Sequence, residues 1–280
     1  MKTGSWSRTT LAILVLAIAA LIAAGCGGGN DNGGSGASGE TITVGSDIPY
    51  PPFEQGRAPD YTGFDIDVVN AIADQAGFKI EIQDTSFDTI FRDLAQGKFD
   101  LVASASTITK ERLQTVDFSQ PYFNADQSLM VKKGSDIKTV DDLGGTTVGA
   151  QRGTTGADYA ENQTDASSVR TYPSIDNAFN ALEAGQIDAV INDFPVSAFA
   201  TKTKKDLVVV QSIPTGEKYG LAMKKGNTEL EKKVNDALTE IKKNGTYTKI
   251  FQKWFNQAPP KSILDETKVL SPDDPSLPAS

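Results

Sequence analysis

SFDTIFRDLAQGKFDLVAS, residues 86–104, recurs 88 positions later as SIDNAFNALEAGQIDAVIN, residues 174–192. Ser86, Asp88, Phe91, Leu94, Gly97, Asp100 and Val102 have identical counterparts in Ser174, Asp176, Phe179, Leu182, Gly185, Asp188 and Val190. Each copy reads as a Ser N-cap, a helix with apolar residues three and four apart, a Gly stop and a short buried strand, FDLVAS or IDAVIN. One α/β unit therefore occurs twice.

A second echo lies outside the first. Leu129-Met-Val-Lys-Lys-Gly-Ser and Leu221-Ala-Met-Lys-Lys-Gly-Asn are strand-like pieces ending in a Gly turn, and they bracket about 90 residues. The economical reading is two similar α/β lobes, the second inserted into the first, with the chain crossing between them on these two segments. Lobe 1 is then 40–131 with 223–258, and lobe 2 is 132–222. Flanking pieces agree with alternating strands and helices: a strand at Thr41–Gly45, a helix at Asp65–Ala76, a strand at Lys79–Gln83, and Thr146–Ala150 opening the second lobe in the same way. Residues 227–255 read as two helices split near Gly245, with Phe251, Trp254 and Phe255 packing on lobe 1 rather than touching a ligand. Pro259-Pro260 and SPDDPSLPAS (271–280) lack an apolar period, so 259–280 is expected to be a disordered tail.

Composition narrows the chemistry. With no histidine and one cysteine in 280 residues, zinc sites of the usual ligands and Ser-His-Asp or Cys-His catalysis are excluded. No metal and no cofactor is expected. A net charge of -9 argues against a nucleic-acid partner, because phosphate binding depends on clustered Lys and Arg.

The lone cysteine stands at the end of an address. Lys2 and Arg8 precede the apolar run Leu11–Ala24, which spans roughly 21 Å as a helix and is short for a hydrocarbon core of about 30 Å. A cleaved signal peptide, 1–25, is the better reading. Ala23-Ala24-Gly25-Cys26 resembles the lipobox of bacterial lipoproteins, with Ala23 where Leu is usual. That implies cleavage before Cys26 and lipid on its sulfur. Residues 26–39, rich in Gly, Asn, Ser and Asp, read as a flexible tether. Without Lys2 and Arg8 the formal charge becomes -11, so the acyl chains rather than charge must hold the protein at an anionic membrane.

Ligands of open α/β sheets sit beyond the carboxyl ends of the strands. After the first duplicated strand come Ala105, Ser106, Thr107 and, further on, Arg112; after the second comes Asp193, opposite Ala105 at the same offset. One lobe offers hydroxyls, amides and a cation, the other an anion, which is a complementary pair for a zwitterion. Gly153-Thr154-Thr155-Gly156 before the helix at Ala157 adds an anion cradle.

The segments SDIPYPPFE (46–54), GFDIDVVNAIA (63–73), ASASTITKERLQTVDFSQPY (103–122), VGAQRGTTGADYA (148–160) and GQIDAVINDFPVSAFA (185–200) resemble the solute-binding proteins of polar amino-acid ABC importers. The resemblance implies an α/β, two-lobed, hinged periplasmic-binding-protein fold of type II that closes on one free L-amino acid in the interlobe cleft. It implies that Arg112, Thr107 and Thr155 hold the α-carboxylate and Asp193 the α-ammonium. Tyr50, Phe53 and Phe87 would enclose the side chain, with Asp47 at its far end. Ala105 stands where many relatives have Ser or Gly, leaving its carbonyl for the ammonium. Phe53 fits either the pocket or the core, whereas Tyr50, among Pro49, Pro51 and Pro52, sits on a stiff exposed loop.

The expected function is binding without chemistry: a lipid-anchored extracytoplasmic carrier that passes arginine, lysine, histidine or glutamine to an importer permease, acting as a monomer. Two alternatives stand beside it. One is a cyclohexadienyl dehydratase-like enzyme, which Asp193 disfavours because a cleft anion suits an ammonium better than an extra substrate carboxylate. The other is a sensor presenting the loaded lobes to a membrane receptor. Arg152 lies near these residues in sequence, and inside the site it would oppose a cationic side chain.

Overall fold

The computed structural model describes residues 39–279. The expected signal peptide 1–25, Cys26 and the tether up to residue 38 lie outside the described residues.

The chain begins with β1 (Thr41–Ser46), a hairpin of β2 (Gln55–Arg57) and β3 (Asp60–Thr62), α1 (Phe64–Ala76), β4 (Lys79–Asp84), α2 (Phe87–Ala95), β5 (Leu101–Val102), α3 (Arg112–Thr115) and β6 (Val116–Phe118). It continues with β7 (Phe123–Lys132), a 3-10 turn (Val140–Leu143), β8 (Thr147–Gln151), α4 (Thr155–Asn162), β9 (Ser168–Tyr172), α5 (Ile175–Glu183), β10 (Ala189–Asp193), α6 (Phe194–Ala200) and β11 (Leu207–Tyr219). It ends with β12 (Ala222–Lys224), α7 (Thr228–Lys243), α8 (Thr246–Phe255) and α9 (Lys261–Leu264).

Apolar periodicity explains the long helices. In α1, Phe64, Val68, Val69, Ile72 and Ala73 are buried on one face, and Gly77, at φ 78°, donates its N–H to Ala73 and stops the helix. In α7, Leu230, Val234, Ala237, Leu238 and Ile241 do the same. Phe251 of α8 is buried, and Trp254 Nε1 donates to Asp67 Oδ2 of α1 at 2.6 Å. These aromatic residues pack on lobe 1, as their sequence context predicts.

Two five-stranded sheets result, ordered β4-β1-β5-β12-β6 and β9-β8-β10-β7-β11. In the first, β1 runs parallel to β4 and β5 while β12 runs antiparallel to β5 and β6. In the second, β8 runs parallel to β9 and β10 while β7 runs antiparallel to β10 and β11. The sheets are thus equivalent strand for strand, and the duplicated units occupy equivalent places as α2–β5 and α5–β10. The second echo is equivalent too: Ala222 pairs with Val102 in one sheet, and Met130 with Val190 in the other. Each lobe receives its antiparallel strand from the chain as it returns from the other.

That exchange corrects the expected boundary. Leu129–Lys132 is not the first crossing but lies inside the second sheet, because β7 pairs with β10 and β11 along its length. The chain crosses earlier, at Ser119–Tyr122, and returns at Tyr219–Leu221. There the two strands are tied by Ser119 N–H to Leu221 O at 2.8 Å and Tyr122 N–H to Tyr219 O at 2.9 Å. Short periodic echoes report equivalence of place, not membership of a lobe.

The C-terminal tail is also corrected. Residues 261–264 form α9, Ile263 is buried, and Leu270 and Leu277 are buried in the lobe 1 cluster of Phe87, Leu113 and Phe118. Three spaced apolar residues amid Pro and Asp suffice, since each contributes about 1.5–3 kcal/mol on burial.

Candidate ligand-binding site

A narrow cavity lies between the two sheets, lined from lobe 1 by Asp47, Tyr50, Phe87, Ser104, Ala105, Thr107 and Arg112, and from lobe 2 by Gln151, Thr154, Thr155 and Asp193. Its walls are the carboxyl ends of β1, β5, β8 and β10, where an open α/β sheet leaves side chains unpaired with neighbouring strands. Hydrogen bonds across the cleft hold the lobes together in this structure. Tyr50 Oη donates to Asn192 Oδ1 at 2.9 Å and Asp193 Oδ2 at 2.6 Å, and Arg112 Nη2 donates to Gly153 O at 3.0 Å.

Arg112 opens the short helix α3. Its guanidinium stacks on Phe91 at 4.6 Å and Phe87 at 5.3 Å, and donates through Nη1 to Thr107 O at 2.8 Å. Two of its five N–H groups are thereby used for positioning, leaving donors for an anion. Burial lowers its pKa, while Glu217, Asp158 and Asp193 act in the opposite direction. Gly153 brings the opposing backbone this close: its φ is 76°, and a Cβ there would meet the Asp88 Cα at 3.2 Å.

Asp193 is the last residue of β10 and the cap of α6. Its Oδ2 accepts from Tyr50 and Tyr219, both at 2.6 Å, and its Oδ1 from Gln127 Nε2 at 2.6 Å. Burial and the neighbouring Glu217 nevertheless push its pKa up to about 6. Three neutral donors do not offset the loss of water around an anion, so the site favours an added cation.

Across from Asp193, Ala105 adopts a left-handed backbone at φ 41°. A non-glycine residue held there costs about 1–3 kcal/mol, and a buried carboxylate opposes that cost. Asp65 Oδ2 accepts from Ala105 N–H at 2.8 Å and from Tyr122 Oη at 2.6 Å. Behind it Glu54 is hydrogen-bonded to Asp65, with burial first and then the Asp65 charge raising its pKa well above the carboxylate range. Glu54 therefore holds the proton and donates it to Asp65.

At the other end Asp47 accepts from Gln151 Nε2 at 2.6 Å and from the Phe87 amide, while its own N–H donates to Ser104 Oγ at 2.9 Å. Burial, with Asp84 and Asp88 nearby, pushes its pKa up to about 7. Arg152 stays outside, half exposed at the rim, with Nη1 3.5 Å from Asp88. This corner is acidic, and among the described residues Arg112 is the cation that lines the cavity.

Nine of the sequence-derived residues meet in the cavity, and two do not. Phe53 is buried among Phe64, Phe123, Tyr219 and Phe255 at centroid distances of 5.0–6.0 Å, so it is core. Ser106 is buried, its Oγ donating to Ser104 O at 3.2 Å, because the strained turn at Ala105 directs it inward. Thr107 and Thr155 both donate their hydroxyls to Glu217 Oε2 at 2.7 Å. Their contribution to an anion in this geometry is thus limited to backbone amides. Thr154 caps α4 by accepting from Ala157 N–H. Ser104 and Gln151 were missed, although each stands at a strand's carboxyl end where the positional rule points. Glu217, Glu54 and Asp65 left no such signal.

Residues 42–257 match the model of the bacterial extracellular solute-binding proteins, family 3. The chain is 35% identical over 266 residues to a probable histidine-binding protein of Neisseria gonorrhoeae, covering 91% of this chain and 97% of that one. It is 37% identical over 201 residues to the ABC transporter glutamine-binding protein of Bacillus subtilis (strain 168), covering 70% and 74%. Among solved structures, an ancestral arginine-binding protein bound to arginine superposes with a TM-score of 0.74 at 40% identity, covering 78% of this chain and 99% of that one. With two exchanged-strand sheets, a polar cavity between them and a family model spanning most of its length, the chain belongs to family 3 of the bacterial extracellular solute-binding proteins.

Proposed function

We propose that the protein is a lipid-anchored extracytoplasmic receptor that captures one free polar or basic L-amino acid and delivers it to an ABC importer permease, without catalysing a reaction. The observation that carries this is the set of charges that one cavity brings together: Arg112 and Asp47 from lobe 1, and Asp193, hydrogen-bonded to Tyr50, from lobe 2. Arg112 takes the α-carboxylate, assisted by the α4 N-terminus at Thr155. Asp193 and the Ala105 carbonyl take the α-ammonium. Phe87 covers the aliphatic part of the side chain, and Asp47 meets its terminus.

The corner around Asp47 favours arginine, lysine or protonated histidine, since Asp84 and Asp88 add negative potential there. Glutamine is the neutral alternative, its amide taking the place that Gln151 Nε2 fills on Asp47. A dehydratase acting on a dicarboxylate is disfavoured because Asp193 and Glu217 already crowd the buried site with carboxylates. Closure follows from contact of one ligand with both lobes. Thermal-shift screening of the twenty amino acids tests the reading, because a ligand at 100 times its Kd adds about 2.7 kcal/mol. Absence of any stabilised complex, together with turnover of prephenate or arogenate, would reverse it in favour of the enzyme.

A further inference from the structure

The C-terminal segment lies beyond the residues that the family model covers, yet it runs to the cation of the binding site. It is first fastened at the hinge. Asn124 Nδ2, at the start of β7, donates to Ser262 Oγ at 3.2 Å, and Lys218 Nζ, at the end of β11, lies 3.1 Å from Glu266 Oε2. Lys242 Nζ bridges Pro121 O at 2.9 Å and Glu266 O at 2.7 Å. The segment then buries Leu270 and Leu277 in the cluster that holds Phe87, Leu113 and Phe118, with Phe91 packed against it.

Its far end meets α3. The amides of Lys110 and Glu111 donate to Pro278 O and Ala279 O, both at 3.0 Å. A helix leaves its first N–H groups without internal partners, and a helix of a single turn has little stability of its own. Thr109 Oγ1 accepts from Arg112 N–H at 3.1 Å, and the C-terminal carbonyls take the two amides between them, Lys110 and Glu111, that no side chain reaches. The rings on which the Arg112 guanidinium lies, Phe87 and Phe91, are backed by the cluster to which Leu277 belongs.

We propose that residues 259–279 form a strap that positions Arg112, so that the segment outside the shared domain is part of the binding machinery. The proposal rests on the reading that Arg112 holds the ligand carboxylate. Anchored at the hinge and capping α3, the strap fixes both the height of the guanidinium and its plane.

The test compares the full chain with a truncation after Ala258 and with Leu277→Ala, which keeps the whole segment. Affinities for L-arginine and for L-argininamide, which lacks the carboxylate charge, are measured by calorimetry. Should the full chain bind glutamine instead, L-glutamine and its C-terminal amide replace them. Loss of an oriented charge-assisted contact predicts about a tenfold weaker Kd for the amino acid in the truncation, and about threefold in Leu277→Ala. The amide should change by less than about twofold, because it does not engage the guanidinium as an anion. Hydrogen exchange at residues 107–116 should rise in both variants without ligand. Unchanged affinity in both variants, or equal weakening of acid and amide, overturns the proposal and leaves the segment a stabilising element. If truncation prevents folding, Leu277→Ala carries the comparison alone. Failure of the full chain to bind any amino acid overturns the functional reading instead; exchange at 107–116 still reports whether the strap orders α3.

Discussion

After β5 the chain passes through Ala103–Lys110, turns left-handed at Ala105 and only then forms the single turn of α3; after β10 it enters α6 directly, with Asp193 at the junction. The units before these exits match in sheet position and in their helix-ending glycines, Gly97 at φ 78° and Gly185 at φ 69°. The scaffold is therefore symmetric while its exits are not. One exit is long enough to bring amides and a stacked guanidinium to the cavity. The other is short enough to bury a carboxylate at the strand–helix junction, where Tyr50, Tyr219 and Gln127 donate to it. Under the proposed function, this difference between the lobes is what orients a zwitterionic ligand.

Removing either charge should break the comparison most severely. Arg112→Ala and Asp193→Asn are each expected to weaken amino-acid binding by about 2–5 kcal/mol, the range for truncating one partner of a buried charged pair, measured by calorimetry. Normal binding by either variant would contradict the assignment of that end.

Protonation separates the ends next. Asp193, raised to about 6, must be ionised to receive an ammonium. Affinity should therefore fall as pH drops through about 6, by up to about tenfold per unit. Asp47, raised to about 7, adds a second decline beginning near 7 only for a cationic side chain. Comparing arginine with glutamine between pH 8 and 5 reads the two ends independently, and parallel curves would count against Asp47 as the side-chain partner. The ligand-free protein should show the opposite slope. With both folded pKa values above 3.8, the contribution of these groups to stability is present below about 4 and is lost as pH rises to about 7.

The buried acid pair sharpens the lobe 1 side. Asp65→Asn keeps one oxygen for Ala105 N–H and Tyr122 Oη but turns its NH2 toward Glu54, whose proton loses its acceptor. It is expected to cost about 1–3 kcal/mol of stability and to weaken ligand binding through the Ala105 turn. Glu54→Gln retains a donor toward Asp65 and should cost under about 1 kcal/mol. Chemical denaturation of both variants measures the asymmetry, and a costlier Glu54→Gln would place the proton on Asp65 instead.

The smallest expected effect concerns ligand affinity at the two phenylalanines. Phe53→Leu should lower the melting temperature while leaving Kd within about twofold, because the ring packs in the core and the smaller side chain leaves a void there, at a cost on the order of 1–3 kcal/mol. Phe87→Leu, at the cavity wall, should change Kd more than stability. Reversal of that pattern would return Phe53 to the site.

The duplication, the helices and strands and most cavity residues were legible in the sequence. Their signals are local: apolar spacing, a stop glycine and the position just after a strand. Phe53 fitted the pocket and the core equally well, because a ring's direction depends on what the hinge strands place beside it. Ser106 read as a site residue until the turn at Ala105 directed it inward. Glu217, 110 residues from Thr107 in sequence, is an ordinary acid until β11 carries it beneath the cleft.

The sequence by itself determined that two α/β units of one pattern are built, and which residues stand at their exits, since hydrophobic period and strand ends are properties of short stretches of chain. Only the tertiary structure decided which lobe each echoed strand joins, which carboxyl carries a proton, and that a Pro- and Asp-rich C-terminal segment packs instead of remaining loose. These outcomes depend on desolvation and on partners far apart in sequence, which exist only once the chain has folded.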